Sequence, residues 1–159
     1  MAINIDVFKK SYLVVGLSDE DIQKLAALAT IQEFKPGQEI VSLGTREADV
    51  FIVISGVAKV ERKGGAILGT CGVGSVIGEI ALLDNQPRSA TVVARGGPVV
   101  CARIDGPTLR RFIFQHKDIG FVIVTNIARI LAMRLREASI SIEDLRGQVS
   151  DLWLYKDKT

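Results

Sequence analysis

A succession of short β-branched runs, each ended by turn residues, constrains the fold of this chain more than any other feature. The runs between about Ile31 and Arg103 are DVFIVIS, VAKVER, AILGT, ATVVA and PVVCARI. Clusters such as Lys63-Gly64-Gly65 and Gly96-Gly97-Pro98 separate them. Short strands with turn residues between them are typical of an all-β sandwich or barrel. We predict a double-stranded β-helix (jelly-roll) barrel and no Rossmann-type sheet, because no βαβ alternation is visible.

The N-terminal segment, residues 1–30, has the pattern of an amphipathic helix. Its apolar residues recur at helical spacing: Ile22, Leu25, Ala26 and Leu28. Ser18, three residues before Asp21, predicts a capping-box-like start. We expect the helical segment to extend to about Ile31, where the β-rich block, residues 31–104, begins.

Two helices are predicted after the barrel, within residues 105–154. Gly106-Pro107 opens the first, GPTLRRFIFQH, and the second runs from about Gly120 towards Leu154. Apolar residues of the second helix alternate at four- and three-residue intervals, a coiled-coil seam: Val124, Ala128, Leu131, Leu135, Ala138, Ile142, Leu145, Val149 and Leu152. The barrel can cover the first two turns of a helix that is ~50 Å long at 1.5 Å per residue. We therefore predict a homodimer in which the rest of the seam pairs with a second chain.

The scarcity of histidine narrows the chemistry that this chain can perform. His116 is the single histidine among 159 residues, and the cysteines are Cys71 and Cys101. Zinc sites need a cluster of Cys and His, and nucleophilic catalysis would depend on His116 alone. The context FIFQHKD places His116 at a helix end, where it can cap carbonyls. We predict no catalytic residue, no metal site and no enzyme.

The sequence predicts a cytoplasmic protein without a membrane segment. The mean hydropathy is +0.29, but the most apolar window, Ile119–Met133, is interrupted by polar residues and is too short to span a bilayer. No signal-peptide pattern opens the chain. Two cysteines are too few for a disulfide framework and fit a reducing compartment.

The net charge of +2 conceals a basic segment. Residues 103–136 carry seven basic and two acidic side chains. Such a segment could contact nucleic acid or an anionic surface. A pair of helices with a solvated face is the favoured interpretation, because charge runs are weak evidence of a partner.

Residues 77–94, IGEIALLDNQPRSATVVA, concentrate the groups that could bind a ligand. Gly78 permits a close approach of the backbone to a ligand or an unusual backbone angle. EIALL predicts a single helical turn whose first amides favour an anion. Arg88 offers a planar fork of donors, and Ser89 adds a hydroxyl. From spacing alone, two interpretations stay open: an anion site, or a structural ion pair between Glu79 and Arg88 across the turn.

These residues resemble the phosphate-binding cassette of cyclic-nucleotide-binding domains, as found in catabolite-activator-type regulators, cyclic-nucleotide-gated channels and the regulatory subunit of cAMP-dependent kinase. Gly-Glu-Ile-Ala-Leu, a variable turn and Pro-Arg-Ser-Ala-Thr-Val carry the resemblance. KPGQEIVSLG and FIVISGVAKV are similar to the family's first strands and to its glycine-broken strand pair. Phe34 departs from the leucine that precedes Lys35 in that pattern. The resemblance covers about residues 10–138 and implies the same fold.

The resemblance also implies roles for individual residues. Arg88 would pair with the exocyclic oxygens of the cyclic phosphate, and Glu79 would accept a hydrogen bond from the ribose 2′-hydroxyl. Residues that would supply backbone amides or a hydroxyl to the phosphate and sugar are Gly78, Ile80, Ala81 and Ser89. Arg134 is a candidate to stack on the base, or else a solvent-facing residue of the last helix. Ser89, where a threonine is often associated with cGMP preference, favours cAMP.

The resulting hypothesis is a non-catalytic sensor that needs no cofactor and binds cAMP, with cGMP as the second candidate ligand. Binding would draw the last helix towards the barrel as a lid and signal to an unknown effector protein. The alternatives are the ligand-binding part of a catabolite-activator-type transcription regulator or of a cyclic-nucleotide-gated channel. After the long helix only about Gly147–Thr159 remain, too few residues for a helix-turn-helix, so DNA binding is not expected unless the chain is a fragment.

Overall fold

Eight strands form two antiparallel sheets in the computed structural model, which describes residues 5–62 and 65–156, with side chains up to residue 146. The strands are β1 (Ala29–Phe34), β2 (Glu39–Val41), β3 (Val50–Ser55), β4 (Ala58–Glu61), β5 (Ile67–Cys71), β6 (Val76–Ile77), β7 (Thr91–Ala94) and β8 (Val99–Ile104). One sheet has the order β1-β8-β3-β6 and the other β2-β7-β4-β5. This is the strand order of a jelly roll, so the predicted fold class is confirmed.

The barrel core lies between the two sheets, because alternate side chains of each strand point inward. Phe34 and Phe51 meet edge to face, with ring centroids 5.9 Å apart. Other buried members of this core are Ile40, Val41, Val53, Ala58, Cys71, Ile77, Val92, Ala94, Val99 and Cys101.

Helical elements precede, interrupt and follow the strands. They are α1 (Ile5–Phe8), a 3-10 turn (Tyr12–Val14), α2 (Asp19–Ala26), α3 (Glu79–Asp84), α4 (Gly106–Gln115) and α5 (Lys117–Lys156). Among the residues described, no helix has the length and apolarity required to cross a membrane.

The start of α2 was predicted correctly, and its end was not. The Ser18 hydroxyl accepts a hydrogen bond from the Asp21 amide at 3.2 Å and donates one to the Asp21 carboxylate at 2.8 Å. The helix ends at Ala26, however, so the expectation of helix to about Ile31 was wrong. From Ala29 onward every residue of β1 pairs with β8, and this long-range ladder outweighs the local helical pattern.

His116 has the structural place that the sequence predicted. It is the residue that caps the C-terminal end of α4, where its backbone amide donates to the Phe112 carbonyl at 2.9 Å. Its ring packs on the Phe112 ring, with centroids 4.5 Å apart.

Helix α5 carries two different apolar stripes. The buried stripe consists of Ile119, Ile123, Ile127 and Ile130, and the polar Asn126 is buried among them. The seam predicted from the heptads lies about 100° around the helix, one residue further on. Its members Val124, Leu135 and Leu145 are 39%, 68% and 60% exposed, so the first turns do not bury the seam as the sequence suggested. The side chains of Val149 and Leu152 lie outside the described residues.

The chain divides into two compact units, Met1–Asn126 and Ile127–Thr159, and the division falls within α5. Asn126, the last residue of the first unit, is buried, and its amide donates to the Leu13 and Val15 carbonyls at 3.0 and 2.8 Å. These bonds hold the N-terminal 3-10 turn against the start of α5.

Candidate functional site

Arg88 is held by the β2–β3 loop (residues 42–49) through both its backbone and its side chain. Its amide donates to the Thr45 carbonyl, and its carbonyl accepts from the Gly44 amide, each at 2.9 Å. The guanidinium Nη2 donates to the Asp49 carbonyl at 2.7 Å. Arg88 is 4% exposed. These bonds fix the guanidinium in one orientation at the entrance to β7.

Gly78 is the residue that lets the guanidinium approach α3. Its carbonyl accepts a hydrogen bond from Arg88 Nη1 at 3.3 Å. Its backbone has φ of 94°, and a Cβ at this position would overlap Arg88 Nη1 and the Asp49 carbonyl. Of the two possibilities that the sequence left open at Gly78, the structure shows the unusual backbone angle, and the approach of the backbone to a ligand stays a prediction.

The charge of Arg88 is buried among acidic groups. Burial lowers the pKa of the guanidinium from its ordinary value, while the charges of Asp49, Glu47 and Glu79 act in the opposite direction. An arginine nevertheless stays protonated at physiological pH. Its Nε–H has no hydrogen-bond acceptor among the described residues. A buried donor of this kind costs about 1–3 kcal/mol when unsatisfied, so the site favours an anion that can accept from it.

Helix α3 brings the other predicted residues to the same place. Glu79, in its first turn, is 1% exposed, Ala81 is buried, and Ile80 is partly exposed. The first amides of a helix have no acceptor within the helix. Ser89 is exposed and follows Arg88 directly. The donor fork of Arg88 lies within the electrostatic reach of the buried Glu79 carboxylate, a combination able to bind an anion that also carries a hydroxyl group.

Arg134 lies elsewhere in the chain, on the part of α5 that belongs to the second compact unit. It is half-buried and follows Ile130 by four residues, on the face of α5 that carries the buried stripe. Its proposed contact with the base stays a prediction.

Asp49 is a site residue that sequence reasoning missed. Besides its carbonyl bond to Arg88, its carboxylate contacts Arg103 Nη2 at 2.6 Å and accepts from the Gly106 amide at 3.3 Å. It thereby connects Arg88 to the beginning of α4. Asp49 and Arg88 are 39 residues apart in the sequence, so no local sequence motif indicates the contact between them.

Arg110 was also missed, having been counted only within the basic segment. Its Nε donates to the Leu82 carbonyl at 3.1 Å, and its Nη2 donates to the Ala81 carbonyl and to Asn85 Oδ1, both at 3.3 Å. Arg110 thus joins α4 to the C-terminal end of α3.

The amino-acid sequence of the chain is similar to those of known proteins. The cyclic nucleotide-binding domain pattern matches residues 31–116. Glutaminase 1 of Bradyrhizobium diazoefficiens is 33% identical over 135 residues, 84% of this chain and 21% of that protein. The cAMP-dependent protein kinase regulatory subunit of Mycosarcoma maydis is 35% identical over 83 residues, 50% of this chain and 16% of that protein. The chain thus spans about a fifth of the length of these curated relatives.

Solved structures share the fold. A cyclic nucleotide-binding domain from Methylobacillus flagellatus superposes with a TM-score of 0.77 at 21% identity, covering 87% of this chain and 83% of that one. The catabolite activator protein of Thermus thermophilus superposes with a TM-score of 0.70 at 27% identity, covering 85% and 63%. With a family pattern that matches more than half of its length, the chain belongs to the cyclic nucleotide-binding domains.

Proposed function

We propose that this chain is a non-catalytic sensor that binds cAMP in preference to cGMP. The observation that carries the proposal is the buried Arg88 guanidinium, whose Nε–H has no acceptor among the described residues, beside the buried Glu79. The chain is similar to the regulatory subunit of a protein kinase that is named for its dependence on cAMP. A cyclic phosphate carries one negative charge, and it matches one arginine without a metal ion or a base.

The roles proposed for the site residues are those that the family resemblance implies, and the chemistry of the residues is compatible with them. Arg88 pairs with the exocyclic phosphate oxygens, and Glu79 accepts a hydrogen bond from the ribose 2′-hydroxyl. Groups that complete the contacts to phosphate and sugar belong to Gly78, Ile80, Ala81 and Ser89. Ser89 occupies the position at which a threonine is associated with a preference for cGMP, so the serine supports cAMP as the ligand.

The signal is proposed to leave the site through α5. Arg134 stacks on the base, α5 acts as a lid, and a cytoplasmic effector protein responds to the shift in population. The exposed seam of α5, with Leu135 and Leu145, supports a homodimer. Because the chain spans only about a fifth of its curated relatives, the second candidate is the ligand-binding part of a longer regulator, such as one of the catabolite activator type.

Isothermal titration of the purified chain with cAMP and with cGMP tests the proposal. We expect a dissociation constant for cAMP below about 100 μM, equivalent to more than about 5 kcal/mol of binding free energy, and weaker binding of cGMP. Absence of binding by both nucleotides would contradict the sensor function.

Titration with 2′-deoxy-cAMP tests the assigned roles separately. The unmodified chain should bind 2′-deoxy-cAMP at least about tenfold more weakly than cAMP, because a hydrogen bond to a charged acceptor is lost. Glu79→Gln should reduce this discrimination, and Arg88→Gln should weaken binding of both ligands by roughly 2–5 kcal/mol. Unchanged discrimination in Glu79→Gln would remove the 2′-hydroxyl role without removing the sensor function.

A further inference from the structure

We infer that Arg110 is a positioning residue for the nucleotide site, because it holds the C-terminal end of α3 and makes α3 and α4 move together. The part of the inference that concerns nucleotide rests on the proposed function. The tie between the two helices is independent of it.

Helix α3 depends on contacts outside itself. It contains six residues, fewer than an isolated helix needs to be stable in water. The last carbonyls of a helix need donors from outside its regular ladder, and those of Ala81 and Leu82 accept hydrogen bonds from Arg110. The positive charge also lies at the end of the helix where a cation is stabilising.

The turn that follows α3 is part of the same arrangement. Asn85 has φ of 53° and donates its amide to the Ala81 carbonyl at 3.1 Å. Its side-chain oxygen accepts from Arg110 Nη2. The planar guanidinium thus reaches two carbonyls and one side-chain amide at once, a geometry that a lysine ammonium cannot reproduce.

The opposite end of α3 is attached to the phosphate-binding residue. The carbonyl of Gly78, at the start of the helix, accepts from Arg88, as described above. A ligand that moves Arg88 and Gly78 therefore displaces the short helix as one piece. Arg110 passes the displacement of its far end to α4.

Arg111 provides a matched control. It is the next residue of α4, it carries the same charge, and it is exposed. The positive charge of Arg111 helps to lower the pKa of Asp105, so its electrostatic effect is on the start of α4. Arg110→Gln and Arg111→Gln therefore remove the same charge, and they differ in the contact with α3.

Hydrogen–deuterium exchange of peptides from α3 and α4 tests the inference. Without ligand, Arg110→Gln should speed exchange of the amides between Leu82 and Asn85 about tenfold, the effect of losing a charge-assisted hydrogen bond, and Arg111→Gln should not. With saturating cAMP, exchange should slow in both helices of the unmodified chain and of Arg111→Gln. In Arg110→Gln it should slow in α3 without slowing in α4.

The outcomes separate the two hypotheses. Equal ligand-free exchange in the two variants would overturn the role of Arg110, whatever the nucleotide does. Failure of the unmodified chain to bind either nucleotide would overturn the proposed function. The ligand-free comparison of the two variants would still test whether Arg110 joins α3 to α4. If circular dichroism shows Arg110→Gln to be unfolded, Arg110→Lys replaces it, because it keeps the charge and loses the fork. Exchange in α3 equal to that of the unmodified chain would then overturn the inference.

Discussion

Arg88 satisfies structural and functional requirements with different atoms of one side chain. Its two terminal nitrogens donate to the carbonyls of Asp49 and Gly78, which fixes the guanidinium. Its Nε–H is the donor without an acceptor among the described residues. Replacement of Arg88 should therefore affect the ligand-free protein as well as binding.

Arg88→Met should lower the free energy of unfolding of the ligand-free chain by about 1–3 kcal/mol, because the part-buried Asp49 and Gly78 carbonyls lose the hydrogen bonds that the guanidinium donates. Ser89→Ala, at the next and exposed position, should change it by less than about 0.5 kcal/mol while weakening cAMP binding. Urea denaturation without ligand measures both. Equal stability of the two variants would show that the bonds of Arg88 contribute nothing to the fold.

Comparison of Gly78→Ala with Gly96→Ala separates two costs in folding free energy: the strain of a left-handed backbone and the steric overlap of an added Cβ with its neighbours. Both glycines have positive φ, 94° and 81°, but a Cβ at Gly96 meets nothing within 4 Å. Gly96→Ala should cost about 1–2 kcal/mol from the left-handed conformation alone. Gly78→Ala should cost about 1–3 kcal/mol more, because the methyl group displaces Arg88, and it should also weaken cAMP binding. Thermal or urea denaturation gives the difference, and equal costs would contradict the overlap.

Individual site residues were predictable where they lie close together in the sequence. Gly78, Glu79 and Arg88 fall within one segment, so spacing alone brought them together. Asp49 and Arg110 were not predictable, because their partners lie 39 and 28 residues away and only strand order brings them into contact.

At the scale of elements, the start of α4 depends on a charged cap. The carboxylate of Asp105 accepts from the Thr108 hydroxyl and amide at 2.6 and 2.9 Å, and both bonds hold the pKa of Asp105 below its ordinary value. Because the folded pKa is lower than the unfolded pKa, this stabilisation is present above about pH 4 and is lost as pH falls through the folded pKa.

Asp105→Ala should therefore lower the free energy of unfolding by about 1 kcal/mol at pH 7, as for other N-caps. The difference between the two proteins should shrink when urea denaturation is repeated near pH 3. A difference that is constant with pH would show that the carboxylate charge has no part in the cap.

Helix α5 offers a paired test of the proposed dimer. Ile142 belongs to the seam and Ile140 lies on the opposite face, yet both are exposed, by 53% and 59%. Ile142→Glu should produce monomers at concentrations where the unmodified chain is dimeric, because it places charges within the apolar seam. Ile140→Glu should leave the dimer intact. Sedimentation velocity distinguishes the two, and dissociation by both or by neither would contradict pairing through the seam.

Elements were predicted well where local pattern and long-range pairing agree. The strands β3, β4, β7 and β8 lie within runs identified from β-branched residues and turns. The residues after Ala26 were predicted to be helical because the apolar spacing continues there. In the structure, the residues from Ala29 onward form β1, because they pair with β8. On α5 the heptads indicated which residues form a seam, but not that a second, buried stripe runs beside it.

At the scale of the whole molecule, the barrel protects its thiols. Cys101 lies on β8, between β1 and β3, and burial raises its pKa to about 12. The thiolate is the reactive species, so Cys101 should resist alkylation at pH 8. In a Cys71→Ala background, alkylation of Cys101 should follow the rate of global unfolding and accelerate with urea. Rapid labelling without denaturant would show that the barrel opens locally at β8.

The double attachment of Arg88 also has an evolutionary consequence. In a lineage that no longer used a nucleotide, this position would still be constrained, because the guanidinium would still donate to the carbonyls of Asp49 and Gly78. Gly78 would remain constrained for as long as the guanidinium occupied the space that a Cβ requires. Loss of ligand binding is therefore reached more easily by changing Ser89, which is exposed, and Arg88 would persist after that change because of its structural bonds.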